Sequence, residues 1–268
     1  MSGESGKLGT TQRRAAFVTG GRRGIGRAIA YALAEQGFDV VVNDLERDAS
    51  AEETLAGIAE RGGKAAFVTG NVADLAQHQR MVDEACGAFG PLSCLVNNAG
   101  VQTQYRGDML EIPVESFDRL IDVNLRGSFF LTQRIAKRMI AEPAGDATRP
   151  SRSIIFISSG NAVIATAAQA DYCISKSGIA MMSTLFALRL AEHGIAVHEI
   201  RPGIIRTDMT ADVFEKYDGW VKGRGFPLAR WGEADDIGRT VGVLAAGLLP
   251  YSTGHAFHVD GGIHIRRT

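Results

Sequence analysis

Short apolar or β-branched runs alternate with longer segments of helical periodicity along nearly the whole chain. This alternation predicts repeated βα units and a mostly parallel sheet, and one fold class accounts for the entire length. Seven strands are predicted, at Ala15 to Thr19, Asp39 to Asn43, Lys64 to Thr69, Ser93 to Asn97, Ser153 to Ser158, Ile195 to Arg201 and His255 to Val259.

Apolar residues between the predicted strands recur at the spacing of a helix. Ile25, Ile29 and Leu33, each four residues after the last, predict a helix whose apolar side faces the core. Further helices are predicted near Glu52 to Glu60, Leu75 to Phe89, Glu115 to Ile140, Asp171 to Glu192 and Ala234 to Gly247.

Three segments do not follow this alternation of strand and helix patterns. Residues 142–152, rich in Pro, Gly and charge, predict a surface loop. Residues 207–231 mix aromatic side chains with Gly and Pro and are too apolar for a plain linker, so we expect them to cover a ligand as a lid. Residues 1–13 are expected to form a flexible N-terminus, and the whole of 1–268 to form one domain.

Overall charge gives no sign of a polyanionic partner. The 29 basic and 30 acidic residues leave a net charge of -1, which favours neither nucleic acid nor an anionic membrane. No apolar run approaches the roughly 18 residues that cross a bilayer, and the N-terminal stretch lacks the apolar segment of a signal peptide, so we expect a cytoplasmic protein. The cysteines form no CxxC pair and the histidines no HExxH motif, so no metal is predicted.

The first predicted strand leads directly into TGGRRGIG, residues 19–26, and then into a helix. Gly20 and Gly24 allow the backbone to approach a pyrophosphate at the helix N-terminus, and Gly26 allows close packing of helix on strand. The spacing differs from the common GxGxxG fingerprint, so the motif taken alone also fits a tight structural turn.

The end of the second predicted strand carries a residue that can select between cofactors. Asp44 can bind the ribose hydroxyls of NAD and repel the 2′-phosphate of NADP. Arg23, in the glycine-rich loop, can instead hold that phosphate, while Arg22 either assists it or faces solvent. NAD is therefore favoured, and NADP stays open.

A second cluster of residues suggests proton transfer. Tyr172 and Lys176 are four residues apart on a predicted helix and share one side of it, so the ammonium is expected to lower the pKa of the phenol. Tyr172 would then act as a general acid or base. Ser159 follows the strand SIIFIS and can hold a substrate oxygen, although Ser158 is a close competitor.

Taken in order, these motifs resemble those of the short-chain dehydrogenase/reductase family, over nearly the whole chain from Ala15 to Gly262. TGGRRGIG looks like the family's TGxxxGIG loop, and NNAG at 97–100 looks like the segment beside the cofactor. The family's spacing of 13 residues before the tyrosine selects Ser159 over Ser158, and Asn124 matches its active-site asparagine.

The resemblance implies a Rossmann-like, doubly wound seven-stranded sheet in the order 3-2-1-4-5-6-7, with three helices on each face. It implies a catalytic set of Asn124, Ser159, Tyr172 and Lys176, in which the lysine also binds the nicotinamide ribose. The cofactor contacts it implies are Gly20, Arg22, Arg23, Gly24, Ile25, Gly26, Asp44, Asn71, Val72, Asn98, Ala99, Gly100, Tyr172, Lys176, Pro202, Gly203, Ile204, Ile205, Thr207 and Met209.

The function implied is the NAD(P)-dependent interconversion of a carbonyl and a secondary alcohol, in a protein that is commonly a homotetramer. DYCISKSG, GEADDIG and STGHAFHVDGG are similar to segments of 3-oxoacyl-acyl-carrier-protein reductases, but sugar and polyol dehydrogenases share them. Arg134, Lys137 and Arg138 either dock an acidic carrier protein or simply complement a helix dipole. A non-catalytic NAD(P)-binding sensor is the alternative from another class.

Overall fold

The computed structural model describes residues 13–142, 152–207, 218, 219, 221 and 227–265. Seven of its strands form one entirely parallel sheet in the order β3-β2-β1-β4-β5-β6-β9. The strands are β1 Arg14–Thr19, β2 Phe38–Asp44, β3 Ala65–Thr69, β4 Leu92–Asn97, β5 Arg152–Ile157, β6 Ile195–Pro202 and β9 His255–Val259. The short strands β7 Ile205–Arg206 and β8 Gly232–Glu233 form a separate parallel pair.

The strands are apolar because the sheet is covered on both faces. Along β1, Phe17 packs into one core cluster and its neighbour Val18 into the other. Successive side chains of a strand point to opposite faces, so both positions must be apolar when helices cover both.

Three helices cover each face of the sheet, as the family resemblance implies. One core cluster includes side chains from α3, α5 and α6, and the other includes side chains from α1, α2 and α7. The helices are α1 Gly24–Glu35, α2 Ala49–Glu60, α3 His78–Phe89, α4 Val114–Leu120, α5 Ser128–Ala141, α6 Ala170–Leu190 and α7 Ala234–Ala245. The doubly wound α/β fold is therefore confirmed.

The helix predicted from Glu115 to Ile140 is not continuous. A π-helical segment, Ile121–Gly127, separates α4 from α5. Such wide turns are rare in proteins, and those that do occur often lie at functional sites. This one contains Asn124, which is fully buried.

Other helices begin at residues different from those predicted, because capping residues set where they start. Helix α2 begins at Ala49 rather than Glu52, because the Asp48 carboxylate accepts a hydrogen bond of 3.0 Å from the Ala51 amide. The segment before α3 is a short 3₁₀ turn, Leu75–Gln77, capped by Asp74.

Several sequence predictions concern residues outside the described part of the chain. These are the flexible N-terminus apart from residue 13, the interior of the 142–152 loop, Met209 and most of the 207–231 lid. Among the described residues, no helix has both the length and the apolar character that a membrane span requires.

Candidate active site

A cleft of about 980 Å³ opens at the carboxyl ends of the strands. Strand order reverses beside β1, because β2 follows it on one side and β4 on the other. Open α/β sheets bind their ligands at such a switch point. The lining includes Gly20, Arg22, Arg23, Gly24, Ile25, Gly26, Asp44, Asn71, Val72, Asn98, Ala99, Gly100, Ser159, Tyr172, Lys176, Pro202, Gly203, Ile205 and Thr207.

The glycine-rich loop leaves room for a ligand to approach its backbone. Gly20 and Gly24 have φ of 62° and 56°, which L side chains rarely adopt. A Cβ on Gly26 would lie 2.1 Å from the carbonyl oxygen of Gly20, so only glycine fits there. The amides at the start of α1 border the cleft and form a suitable binding site for a pyrophosphate. The loop therefore fits the dinucleotide that the sequence predicts.

Hydrogen bonds fix this loop to the end of β4. The Asn98 side-chain amide donates to the carbonyl oxygens of Thr19 and Gly20, at 2.9 Å each. The Thr19 hydroxyl accepts from the amides of Asn98 and Ala99, at 3.1 and 3.0 Å. Thus the NNAG segment holds the shape of the phosphate loop.

The adenosine end of the cleft is acidic. Asp44 closes β2, and its carboxylate accepts a 2.8 Å hydrogen bond from the Leu45 amide. The Arg22 guanidinium lies 3.6 Å from Asp44, 2.5 Å from Glu46 and 2.7 Å from Asp48. Arg22 therefore faces three carboxylates rather than solvent.

The reactive groups meet at the opposite end of the cleft. Ser159, Tyr172 and Lys176 all line it, and the Lys176 ammonium lies 5.6 Å from the centre of the Tyr172 ring. The Ser159 hydroxyl accepts from the Asn161 amide at 3.1 Å, which orients it. Ser158 also borders the cleft, but its hydroxyl donates to the Glu199 carboxylate at 2.5 Å.

The pKa of the phenol differs from the sequence prediction. Burial raises the pKa of Tyr172 to about 12, and the interaction with Ser159 opposes this only in part. Burial also lowers the pKa of Lys176 to about 8. The Lys176 ammonium donates to the Ile157 carbonyl at 3.1 Å rather than to the phenol. The predicted lowering of the Tyr172 pKa is therefore wrong, because burial of the phenol raises its pKa more than the hydrogen bond with Ser159 lowers it.

Asn124 lies behind the cleft rather than in its lining. Its side-chain oxygen accepts from the Val101 amide at 2.8 Å, while its nitrogen donates to the Val101 carbonyl and to the Ser175 hydroxyl, at 3.0 Å each. Asn124 therefore ties the segment after β4 to α6, which carries Tyr172 and Lys176.

Glu199 is a buried carboxylate that the sequence analysis missed. It lies within β6, only 3% exposed, and the Arg201 guanidinium contacts both of its oxygens at 2.8 Å. Its negative charge raises the pKa of Lys176, against the larger effect of burial. A Glu inside an apolar strand was the available signal, because buried charges need partners.

One predicted cofactor contact lies outside the lining of the cleft. Ile204 packs with Val221 and Trp231 in a small separate cluster, and it is its neighbour Ile205 that borders the cleft. Met209 is outside the described residues.

The fold and cleft define the class of protein: a dinucleotide-binding enzyme with a Ser, a Tyr and a Lys at the reactive end of its cleft. A family model described as enoyl-(acyl carrier protein) reductase, within the short-chain dehydrogenase/reductases, matches residues 20–264. The chain belongs to the short-chain dehydrogenase/reductase family. It is an oxidoreductase that interconverts a carbonyl and an alcohol with NAD or NADP.

Individual relatives are similar over almost their full length. A 3-oxoacyl-[acyl-carrier-protein] reductase of Staphylococcus aureus is 34% identical over 252 residues, which cover 94% of this chain and 98% of the relative. An L-rhamnose 1-dehydrogenase of a Sphingomonas species is 33% identical, covering 93% and 95%. A 3-oxoacyl-[acyl-carrier protein] reductase of Brucella melitensis, crystallised with NAD, has a TM-score of 0.91 and 46% identity, covering 97% and 100%.

Proposed function

We propose that this chain reduces the 3-oxo group of acyl thioesters to a 3-hydroxyl group, with NADH as the hydride donor. The observation that carries the proposal is the placement of Ser159, Tyr172 and Lys176 in one cleft with a glycine-rich phosphate loop. Similarity to acyl-carrier-protein reductases over nearly the whole chain supports the choice of substrate.

In the proposed mechanism the nicotinamide supplies the hydride when it is bound. Tyr172 donates a proton to the substrate oxygen, and its raised pKa keeps it protonated at neutral pH, as carbonyl reduction requires. The Ser159 hydroxyl holds that oxygen by a hydrogen bond. Lys176 supplies positive charge next to the phenol, which stabilises the phenolate that remains.

The substrate is tested with the purified enzyme on acetoacetyl thioesters of acyl carrier protein and coenzyme A, L-rhamnose, other sugars, polyols and simple alcohols. We expect the highest kcat/KM for a 3-oxoacyl thioester. Preferential oxidation of a sugar would support the second candidate, a sugar dehydrogenase, which the similarity to the rhamnose enzyme favours. Cofactor binding without any turnover would instead indicate a sensor.

Docking of a carrier protein finds little support in the basic end of α5. Arg138 lies 3.4 Å from Asp83 and 3.5 Å from Glu142, and Arg134 donates to Gln79 at 3.0 Å. These contacts within the chain satisfy both guanidinium groups in part. Comparing the carrier-protein thioester with the coenzyme A thioester measures what the carrier contributes.

NAD is the proposed physiological cofactor. Asp44 and its acidic neighbours Glu46 and Asp48 place negative charge where NADP would bring its 2′-phosphate. Arg22, which could otherwise receive that phosphate, contacts these carboxylates.

Replacing Asp44 with alanine should therefore shift the preference toward NADP. We expect the ratio of kcat/KM with NAD to that with NADP to fall by roughly 10- to 100-fold, the equivalent of one charge-assisted hydrogen bond. Glu52→Gln removes a carboxylate that pairs with Arg47 and does not border the cleft, so it serves as the control. An unchanged ratio in Asp44→Ala would contradict the assignment of Asp44.

The charge of Glu199 should be visible in the pH dependence of activity. Glu199→Gln removes the group that raises the pKa of Lys176 and leaves the Arg201 charge uncompensated, so both changes lower that pKa. Activity depends on the charged lysine in the proposed mechanism. The loss of kcat/KM at alkaline pH should thus begin at lower pH in the variant.

The control for this experiment is Glu84→Gln, which removes an exposed carboxylate that pairs with Arg80 on α3. Melting temperatures of both variants separate a general loss of stability from the titration. A profile identical to that of the wild type would show that Glu199 does not act on Lys176.

Assembly as a homotetramer is also proposed. Apolar side chains stay exposed on the adjacent outer faces of α5 and α6, and exposed apolar patches of this kind often mark interfaces. They are Phe129, Phe130, Ile140, Ile174, Met181, Leu185 and Leu188. Sedimentation velocity measures the mass directly, and a monomer at micromolar concentration would contradict the proposal. A cytoplasmic location and the lack of a nucleic-acid partner stay predictions.

A further inference from the structure

Three side chains with metal-binding atoms meet just beyond the carboxyl end of β9. His258 lies on the strand, Asp260 follows it, and His264 returns to the same place four residues later. One ligand atom of each lies within 4.8 Å of the others. Their spacing, HxDxxxH, differs from HExxH, and the sequence prediction of no metal did not include it.

The Asp260 carboxylate is buried and fixed in orientation beside both histidines. Its side chain is 1% exposed, and one oxygen accepts a 2.8 Å hydrogen bond from the Gly262 amide. The other oxygen lies 2.7 Å from Nδ1 of His264 and 3.4 Å from Nδ1 of His258. Gly262 has φ of 84°, and this turn brings His264 back over the carboxylate.

The two imidazole rings stack directly against each other beside this carboxylate. Their centres are 3.9 Å apart and their planes differ by 25°. Nδ1 of His258 is buried and has no hydrogen-bond partner among the described residues, although it lies near Asp260. At 3.4 Å the contact of this nitrogen with the Asp260 carboxylate is long, and a cation bound between the two would satisfy both groups more fully.

The donor set matches a transition metal better than an alkaline-earth ion. Imidazole nitrogen suits Zn²⁺, Co²⁺ and Ni²⁺, whereas Mg²⁺ and Ca²⁺ prefer oxygen ligands. Tetrahedral Zn²⁺ with bonds of about 2.0–2.1 Å places its ligand atoms about 3.3 Å apart. The distance from His258 to Asp260 already fits, and His264, with 34% of its side chain exposed, can move outward to lengthen its 2.7 Å contact with the same oxygen.

The neighbouring positive charge does not prevent this. Nη1 of Arg201 lies 3.4 Å from Nε2 of His258, on the side of the ring away from Asp260. Both oxygens of Glu199 contact that guanidinium at 2.8 Å, which offsets its charge. When Nδ1 binds the metal, Nε2 carries the ring proton, so Arg201 must move slightly away from it.

We propose that His258, Asp260 and His264 bind one divalent transition-metal ion, with water completing its coordination. The site adjoins the dinucleotide cleft, because a Cβ on Gly203 would lie 2.6 Å from the Cα of Asp260 and Gly203 lines that cleft. A bound ion fixes the turn at 260–264 against the Pro202–Gly203 segment. Its role is thus structural and adds to the proposed reaction without taking part in it.

The test is metal binding to the full chain after treatment with a chelator. Titration with Co²⁺, followed by its visible absorption, and calorimetry with Zn²⁺ should each give one ion per chain. Zn²⁺ should also raise the melting temperature, since it binds only the folded state. His264→Ala removes the most exposed ligand and should weaken binding by at least about 100-fold, beyond the loss typical of outer-shell partners.

The matched control is His193→Ala, which removes a histidine that lies beside Arg189 after α6. It should bind Zn²⁺ as the wild type does. The proposal is overturned if the wild type binds no ion at one equivalent, if His264→Ala binds as tightly as the wild type, or if Mg²⁺ binds as tightly as Zn²⁺. In each of these cases the three residues form a hydrogen-bonded turn only.

Discussion

Tyr172→Phe should lower kcat for carbonyl reduction by about 100- to 10,000-fold, the usual contribution of a general acid. The substitution keeps the aromatic ring and its packing and removes only the proton that the mechanism transfers. We therefore expect the dissociation constant of NADH, measured by fluorescence, to change by less than about threefold. Steady-state kinetics with the best substrate of the panel give kcat.

Tyr31→Phe provides the comparison for this variant. The Tyr31 hydroxyl donates to the Glu53 carbonyl at 3.2 Å and does not border the cleft. The Tyr31→Phe variant should therefore retain full turnover. Turnover close to that of the wild type in Tyr172→Phe would remove the chemical basis of the proposed function, even if the dinucleotide still bound.

Lys176→Met should abolish turnover and make the protein more stable at pH 7. Burial lowers the pKa of Lys176 from 10.5 to about 8, so its charged form is disfavoured in the folded state. Each pKa unit corresponds to about 1.4 kcal/mol, which gives a penalty of about 3 kcal/mol at neutral pH. Methionine has a similar length and no charge, and it loses one hydrogen bond to Ile157. A net gain of roughly 1–3 kcal/mol follows.

The pH dependence of the stability difference between Lys176→Met and the wild type gives a second measurement. The penalty is complete below the folded pKa and disappears as pH rises from about 8 toward 10.5, because the unfolded chain then binds the extra proton. Urea unfolding at pH 7 and pH 10 should show a difference between variant and wild type that shrinks at the higher pH. A variant less stable than the wild type at pH 7 would show that the ammonium is well solvated or paired in the fold.

The strands were predictable because burial on both faces requires uninterrupted apolar runs. The predicted and observed bounds agree for His255–Val259 and differ by one residue for Ala15 to Thr19, which begins at Arg14. Helix ends were less predictable, since they depend on single capping contacts such as that of Asp48 with the Ala51 amide. The π-helical turn at 121–127 leaves no pattern in hydrophobicity, and its Asn124 is held by contacts with residues distant in sequence.

In the candidate site, too, some features were predictable from the sequence and others were not. The ordered motifs predicted most residues that line the cleft, including Ser159 after β5 and both Tyr172 and Lys176 on α6. The pKa of Tyr172 could not be predicted, since it depends on how completely the fold excludes water from that phenol. Glu199 was missed because its effect on Lys176 arises where β6 packs against α6, which no local spacing in the sequence records.

The hydrogen bonds between Asn98 and residues 19 and 20 connect positions 78 and 79 apart in sequence. A nascent chain that has only its first two βα units outside the ribosome therefore lacks the support of its own phosphate loop. Competence to capture the dinucleotide should arise late, when the fourth strand has joined the sheet. Fragments that end before residue 97 should consequently show no measurable affinity for NAD, even if they collapse.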